Sequence, residues 1–328
     1  MAIGIGRRQL ISVIGGAVVA WPFAARAEDA PRIRVGWALG VPEASPQVVA
    51  FERRMAELGY VKGQNLAMEY IYTEGRPDRY AEATQELLRR KIDILIAAGA
   101  EIALKSATGA TQTVPIVMTA IDYDPMALGY VTSLARPTGN VTGFFFQQIE
   151  LTVKRLQIFK DAFPNMRIAT VFWDRNSADQ FRAAGNASRG MALRLEGVEF
   201  RDPPYDYERS IDGASPEARH FLIVLTSGLF VADRARIAAV ALSHGMASMF
   251  SNRIETNAGG LMSYGANIEA IYARVAEYVD RIARGARPMD LPIEQPTKFE
   301  LVLNLKTAKA LGLSFPESFL VRADEVIE

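Results

Sequence analysis

The sequence predicts an α/β protein made of two doubly wound, Rossmann-like lobes. Short apolar runs alternate with amphipathic segments over about 33–119, and the same alternation begins again over about 151–244. The run 92–98 is apolar enough to be covered on both faces, which is typical of a parallel strand. A segment rich in proline and glycine, 136–143, separates the two halves. Because alternating strands and helices form parallel sheets with helices on both faces, we expect two such units.

The individual elements follow from hydrophobic periodicity. In the first half the predicted strands are 33–38, 66–72, 92–98 and 115–119, and the predicted helices are 48–58, 78–90 and 102–110. In the second half the predicted strands are 167–173, a short strand around Phe200, and 220–226, and the predicted helices are 151–163, 178–193 and 231–244. A long helix over 268–285, a strand near 299–304 and a final helix complete the chain.

Residues 1–27 are predicted to be a cleavable signal peptide. Arg7 and Arg8 precede an apolar run, and Ala25-Arg26-Ala27 forms a small-residue cleavage site. The alternative is a membrane anchor, but the apolar run is shorter than the roughly 20 residues that a membrane span needs. The arginine pair is compatible with twin-arginine export as well as with general secretion.

Composition restricts the functional classes. The chain contains no cysteine, so a lipid anchor at the cleavage site is not expected, and the exported protein should be periplasmic and not inserted in the membrane. Lysine and arginine number 37, as do aspartate and glutamate; the three arginines before residue 28 reduce the basic count to 34 in the mature chain. A nucleic-acid-binding protein would usually carry a basic excess on one face, so no nucleic-acid partner is predicted.

No catalytic site is predicted. The chain has no cysteine nucleophile, no Gly-x-Ser-x-Gly elbow and no phosphate-binding Gly-x-x-x-x-Gly-Lys-Ser/Thr loop. The two histidines, His220 and His244, lie in no recognisable metal-ligand pattern. We therefore expect no metal and no cofactor, and a binding cleft in place of a catalytic centre.

Four blocks of sequence carry a resemblance to a known family. They are 57–65, 133–143, 259–265 and 294–313. The last block begins Glu294-Gln295-Pro296-Thr297-Lys298 and is the most specific, because it matches over about twenty consecutive residues. In order and spacing the four blocks resemble the ABC-transporter substrate-binding proteins of the tryptophan and tyrosine type.

The resemblance implies a fold and a function. The fold is that of type I periplasmic binding proteins, in which the chain crosses three times between lobes, here near 146, 254 and 290. Lobe 1 is then 31–146 plus 255–290, and lobe 2 is 147–254 plus 291–328. The implied function is the periplasmic solute-binding component of an ABC uptake transporter, with an ABC permease in the inner membrane as partner. The implied ligand is small and of the amino-acid or aromatic-carboxylate type.

Two other functional classes remain open. A periplasmic receptor that presents its bound ligand to a membrane signalling protein would have the same fold. A secreted α/β enzyme is disfavoured by the missing nucleophiles and metal clusters, although Asp122 and Asp174 could form an acid pair across a cleft. A sugar-responsive transcription regulator is excluded, because it needs a basic helix-turn-helix where this chain has its signal peptide.

Candidate ligand contacts follow the carboxyl ends of the predicted strands, where ligands bind in open α/β sheets. In lobe 1, Trp37 either stacks on an aromatic ligand or anchors the core. Glu101 and Asp122 either bind a ligand amine or serve as helix-start and turn residues. Tyr264 either closes over the ligand or packs at the hinge. The predicted contacts of lobe 1 are Trp37, Leu39, Gly99, Ala100, Glu101, Asp122, Tyr123 and Tyr264.

In lobe 2 the candidates follow two predicted strands and precede the second crossover. Asp174 either contacts the ligand or caps the next helix. Arg175 is the best available fork for a ligand carboxylate, and Ser227 offers a hydroxyl group or a backbone N–H. The predicted contacts of lobe 2 are Asp174, Arg175, Asn176, Ser227, Gly228 and Asn252. We expect a ligand with a carboxylate or similar anion that contacts both lobes.

Overall fold

The computed structural model describes residues 31–74 and 76–328, so the signal peptide predicted for 1–27 lies outside the described residues. The strands are, in chain order, β1 (Ile33–Leu39), β2 (Leu66–Tyr72), β3 (Ile94–Gly99), β4 (Ile116–Ala120), β5 (Val141–Phe145), β6 (Ile168–Asp174), β7 (Arg194–Phe200), β8 (Phe221–Val224), β9 (Ala247–Phe250), β10 (Met262–Ala266), β11 (Phe299–Asn304) and β12 (Glu325–Ile327). The helices are α1 (Pro46–Glu57), α2 (Tyr80–Arg89), α3 (Glu101–Ala110), α4 (Gln148–Ala162), α5 (Ala178–Arg189), α6 (Tyr207–Asp212), α7 (Gly228–Ala232), α8 (Arg234–Ser243), α9 (Arg253–Asn257), α10 (Ile268–Ala283), α11 (Leu305–Ala310) and α12 (Glu317–Leu320).

Lobe 1 is built on a five-stranded parallel sheet in the order β2-β1-β3-β4-β5. Successive side chains of a strand point to opposite faces. In β3, Ile94 and Ile96 enter a core that is shared with α1 and α10, whereas Leu95 and Ala97 enter a second core that is shared with α2 and α3. Both faces of the sheet are therefore covered, which explains why β3 is apolar throughout.

Lobe 2 is built on a seven-stranded sheet in the order β12-β11-β10-β9-β8-β6-β7. All neighbouring pairs are parallel except β10 and β11, which are antiparallel. One face packs against α4 and the C-terminal residues Phe315 and Phe319, and the other packs against α6 and α8. The conspicuous C-terminal block of the sequence thus supplies β11 and α11 to this lobe.

The predicted fold class is confirmed, since two doubly wound α/β lobes are joined by three crossovers. Four strands, β5, β9, β10 and β12, are present but had no counterpart in the sequence prediction. The helix predicted for 231–244 is wrong in one respect, because it consists of two helices, α7 and α8, that meet at Asp233.

The three crossovers lie at defined points. The first is at Gln147, between β5 and α4, where the backbone is left-handed with a φ of 52°. The second is at Asn267, between β10 of the lobe 2 sheet and α10 of lobe 1. The third follows Glu294, whose backbone oxygen accepts a hydrogen bond from Phe145 N of β5 at 2.9 Å, and precedes β11.

Two predicted lobe boundaries are wrong. The boundary at 254/255 assigns β10 to lobe 1, but β10 pairs with β9 and β11 in the sheet of lobe 2. The boundary at 290/291 assigns Leu291 and Ile293 to lobe 2, but both are buried in the cores of lobe 1. The physical reason is that an extended segment belongs to the sheet whose strands satisfy its backbone N–H and C=O groups, and to the core that buries its side chains.

The ligand contacts predicted for Trp37 and Leu39 are also wrong, because both side chains lie in the core of lobe 1. Trp37 is 2% exposed, and its ring stacks on Tyr272 of α10 with a centroid distance of 5.6 Å and an interplanar angle of 12°. Phe51 of α1 meets the same ring edge to face at 5.7 Å. Leu39 lies two residues further along β1, therefore faces the same side, and is 1% exposed. Trp37 is a core anchor.

Replacement of Trp37 by alanine tests this assignment. Trp37→Ala should lower the free energy of unfolding by about 3–5 kcal/mol, because a large aromatic side chain is removed from a packed core. Urea unfolding measures the change, and Trp37→Phe, which keeps one ring between α1 and α10, should lose less. A Trp37→Ala protein of normal stability that no longer binds its ligand would contradict the core assignment.

Candidate functional site

The parallel strands of each sheet end at one edge, and polar residues that follow these ends in the two lobes come close to one another. Lobe 1 contributes Asp122 and Tyr123 after β4, and lobe 2 contributes Asp174 at the end of β6 and Ser227 after β8. The charge of Asp174 acts on Asp122, so the two lobes interact electrostatically across the space between them. We call this space the cleft.

The turn between β3 and α3 exposes backbone to the cleft. Gly99 has a φ of 108°, a conformation that favours glycine. A Cβ atom at Gly99 would have no atom within 4 Å, so this backbone borders open space. Ala100 is the N-cap of α3 and supplies no side-chain cap, which leaves the N–H groups of the first turn without a side-chain acceptor from this position.

A cluster of acidic and phenolic groups lies next to this turn. Glu101, the first residue of α3, accepts a hydrogen bond from the Tyr130 hydroxyl group at 2.6 Å. The rings of Tyr123 and Tyr130 meet edge to face at 6.3 Å. The Tyr123 hydroxyl oxygen is buried and has no hydrogen-bond partner in the described part of the chain. Because buried polar groups are almost always paired, this oxygen is an exception within the described residues.

Asp122 is the most perturbed carboxyl group of the cleft. Burial, the charge of Asp174 and the charge of Glu101 together raise the pKa of Asp122 to about 7, while a backbone hydrogen bond opposes the rise. Two of these causes are like charges, and one of them belongs to the other lobe. Near neutral pH this group is therefore divided between its charged and neutral forms.

Asp174 is held rigidly by lobe 2. It is 2% exposed, and its Oδ1 accepts hydrogen bonds from the backbone N–H groups of Asn176 and Ser177, at 3.0 and 3.1 Å, and from the Ser177 hydroxyl group. Its Oδ2 accepts a short hydrogen bond from the Ser227 hydroxyl group. Asp174 is thus the helix cap that was one of its two predicted roles, and its capping bonds fix the carboxylate at the cleft.

Three further predicted contacts of lobe 2 lie beside Asp174 and Ser227. Arg175 and Asn176 are exposed in a short 3-10 helix directly after β6. The Arg175 guanidinium group makes no hydrogen bond and no ion pair with any residue within 31–74 or 76–328. Gly228 begins α7, and a Cβ atom there would have no atom within 4 Å.

Asn252 and Tyr264 have structural partners. The Asn252 side chain caps α9 by accepting a hydrogen bond from Ile254 N at 3.1 Å, and its amide group donates to the Ser251 hydroxyl group. The Tyr264 ring stacks on Phe299 at 6.1 Å, close to the second and third crossovers. Tyr264 therefore packs at the hinge, which was the second of its two predicted roles.

Sequence reasoning missed two phenolic groups and one buried cation. Tyr130 and Tyr205 had no distinctive motif, and each is identified only by its acidic neighbour. Burial raises the pKa of Tyr205 to about 12, and the charge of Asp174 contributes to the rise. Arg155 had a detectable signal, because a charged residue interrupts the apolar face of α4 between Leu151 and Phe159.

Arg155 connects elements that surround the crossovers. The side chain is 2% exposed, and its Nε donates to the Tyr264 carbonyl oxygen at 2.7 Å. Its terminal nitrogens donate to Gln148 Oε1 at 2.6 Å and to Thr226 Oγ1 at 3.3 Å. Burial lowers the pKa of Arg155 to about 10, and the charge of Glu255 partly opposes this change. The guanidinium group remains charged near neutral pH.

No metal centre is formed by the residues that the structure describes, since no three His, Cys, Asp or Glu side chains among them are placed to hold an ion. Across 31–74 and 76–328, no helix has the length and apolar character needed to cross a membrane. The cleft thus offers carboxylates, hydroxyl groups and free backbone N–H groups as its binding chemistry.

Two α/β lobes with polar groups of both facing one cleft define a bilobed binding protein. The chain belongs to the family of ABC transporter substrate-binding proteins, whose model matches residues 42–327.

Known proteins of the same fold agree with this assignment. A tyrosine-binding protein of Clostridioides difficile (strain R20291) is 22% identical over 276 residues, which cover 80% of this chain and 75% of that protein. A conserved domain protein from Vibrio cholerae has a TM-score of 0.81 at 20% identity, covering 90% of this chain and 99% of that one. An ABC domain from Streptococcus pneumonia in complex with L-Trp has a TM-score of 0.80 at 21% identity, covering 90% of this chain and all of the other.

The raised pKa of Asp122 makes stability depend on pH. Below about pH 4 the group is protonated in both states, and above about pH 7 the folded protein must carry a charge that it disfavours. Stability should therefore fall as pH rises from 4 to 7. Asp122→Asn should remove this loss. Its free energy of unfolding should exceed that of the wild type by on the order of 2–4 kcal/mol at pH 8, and by little at pH 4.

Thermal unfolding of both proteins at pH 4, 6 and 8 measures this effect. Asp161→Asn, which changes an exposed aspartate on α4, is the control and should show no such pH-dependent gain. An equal melting-temperature difference for Asp122→Asn at all three pH values would contradict the prediction.

Proposed function

We propose that this protein is the periplasmic solute-binding component of an ABC uptake transporter and that it delivers a small organic ligand to a permease in the inner membrane. The ligand binds in the cleft and belongs to the amino acids or their close relatives. Membership of the substrate-binding family supports this function, as do relatives described as binding tyrosine and L-Trp. The protein binds its ligand and does not transform it.

One observation carries the proposal: Asp122 of lobe 1 lies close enough to Asp174 of lobe 2 for the charge of Asp174 to help raise the pKa of Asp122. A ligand that contacts both would join the lobes and shift the protein toward a closed form, as in hinge closure around ligands. The cleft contacts are Gly99, Ala100, Glu101, Asp122 and Tyr123 from lobe 1. From lobe 2 they are Asp174, Asn176, Ser227 and Gly228, and the exposed Arg175 follows Asp174 in the chain without being one of the contacts.

A thermal-shift screen of the exported protein against amino acids, amines, aromatic acids and purines should find at least one ligand. At a hundredfold excess over its dissociation constant, a ligand adds about 2.7 kcal/mol of stability by mass action. Cells that lack the gene should also lose uptake of that ligand. A ligand that binds tightly but whose uptake is normal in these cells would exclude transport and favour a signalling receptor.

Export predicts a definite N-terminus. The periplasmic protein should begin at or near Glu28, because cleavage after Ala25-Arg26-Ala27 removes the signal peptide. N-terminal sequencing of material from the periplasmic fraction measures this. Recovery of the intact chain from the membrane fraction would contradict both cleavage and a soluble periplasmic form.

A further inference from the structure

We propose that the cleft selects ligands of net positive charge and favours amines without a carboxylate over the corresponding amino acids. This inference rests on the proposed function, because it names the ligand class of the same cleft. It departs from the expectation that the ligand carries an anion.

The charges of the cleft carry the first step. Asp122 and Glu101 of lobe 1 and Asp174 of lobe 2 form one electrostatic group, since the latter two both act on Asp122. Their hydrogen-bond donors are neutral: the Tyr130 hydroxyl group for Glu101, and hydroxyl and backbone N–H groups for Asp174. Within 31–74 and 76–328, none of the three forms an ion pair.

Elsewhere in this protein, a buried carboxylate lies near a group of opposite charge. The buried carboxylate of Glu255 lies near the buried guanidinium group of Arg155, and each charge acts favourably on the other. A buried charge without a partner is costly, and a cation that reaches it offsets the cost. A cationic ligand would supply to Asp122 the counterion that the protein itself does not provide, next to the hydrogen-bonded carboxylate of Asp174.

The position of Glu101 disfavours a ligand carboxylate. The N–H groups at the start of α3 would otherwise attract an anion. Glu101 is the first residue of that helix, so its negative charge already lies in the first turn and would repel a ligand carboxylate nearby. The carboxylate of a bound amino acid would become a fourth anion, and the one cation among the predicted contacts, Arg175, is exposed to solvent.

The unpaired hydroxyl group of Tyr123 is the second, independent observation. This oxygen is buried, has no partner among the described residues, and lies within electrostatic reach of Asp122 and Glu101. An ammonium group carries several N–H donors and can bind a carboxylate and this oxygen at the same time. The rings of Tyr123 and Tyr130 add aromatic faces that attract cations.

Matched pairs of ligands test the proposal. Titration calorimetry of the exported protein at pH 8 would compare tyramine with L-tyrosine, tryptamine with L-tryptophan, and agmatine with L-arginine. The tightest ligand should be one of the amines, with about tenfold or greater preference over its amino acid. Equal or tighter binding of the amino acid in every pair, or no binding of any amine, would overturn the proposal.

Variants connect the preference to the named side chains. Glu101→Gln keeps an acceptor for Tyr130 but loses the charge, and Asp122→Asn removes the central carboxylate; each should weaken amine binding by about tenfold or more and reduce the preference over the amino acid. Glu217→Gln is the matched control, because Glu217 is exposed in a 3-10 helix before β8, at the opposite edge of the sheet. Unchanged preference in both cleft variants would overturn the proposal.

Arg175→Ala separates the two ligand classes. If the cleft prefers cations, the exposed Arg175 holds no ligand anion, and the variant should bind the amine with wild-type or higher affinity. A large loss of affinity for the tightest ligand would mean that Arg175 forks a carboxylate, and the charge preference would be wrong. In that case a solute still binds between the lobes, so the proposed function stands. Failure of the function itself has another signature, the absence of any ligand in the broad screen.

Discussion

The buried guanidinium group of Arg155 holds together the segments next to two of the three crossovers between the lobes. Arg155 lies on α4, directly after the first crossover, and donates to the backbone of Tyr264, just before the second. A buried cation must have its donors satisfied, and removal of one partner from such a network is strongly destabilising. Arg155 therefore holds the segment after the first crossover next to the segment before the second, with all of these contacts inside lobe 2.

Near this hinge Arg155 and Arg253 have acidic neighbours, whereas the carboxylates of the cleft have no ion-pair partner in the described part of the chain. Arg253, at the start of α9, contacts Glu269 at 2.6 Å and Glu325 at 3.1 Å, and so joins the beginning of α10 to the last strand. Asp122, Glu101 and Asp174 have no such partners in the described chain. The buried Arg155 and the half-buried Arg253 thus have carboxylate neighbours near the crossovers, whereas the three carboxylates of the cleft form no ion pair among the described residues.

The fold could be predicted largely because buried parallel strands are apolar on both faces. β3 and β4 satisfy that rule, and their helices have a clear amphipathic period. β10 does not, because its sequence Met262-Ser263-Tyr264-Gly265-Ala266 mixes small and polar residues. Gly265 is required there, since a Cβ atom would lie 1.9 Å from the Ser251 carbonyl oxygen. The close packing that places β10 in lobe 2 thus also removed its strand signal, and the lobe boundary was predicted too early.

The candidate site was harder to predict, for two physical reasons. Whether a residue near a strand end faces the core or the cleft depends on which face of the sheet its side chain points to. Trp37 lies two residues after the buried Val35 and therefore points to the same face. The state of a carboxyl group depends on neighbours distant in sequence: Asp174 is bound by Ser227, 53 positions away, and Asp122 is perturbed from the other lobe. The rule that ligands bind at the carboxyl ends of strands therefore predicted the position of the cleft. The negative charge of the cleft could not be predicted in this way, because it depends on residues of both lobes. A ligand that contacts both lobes meets that combined field, and its charge is selected by the pair of lobes and not by either one alone.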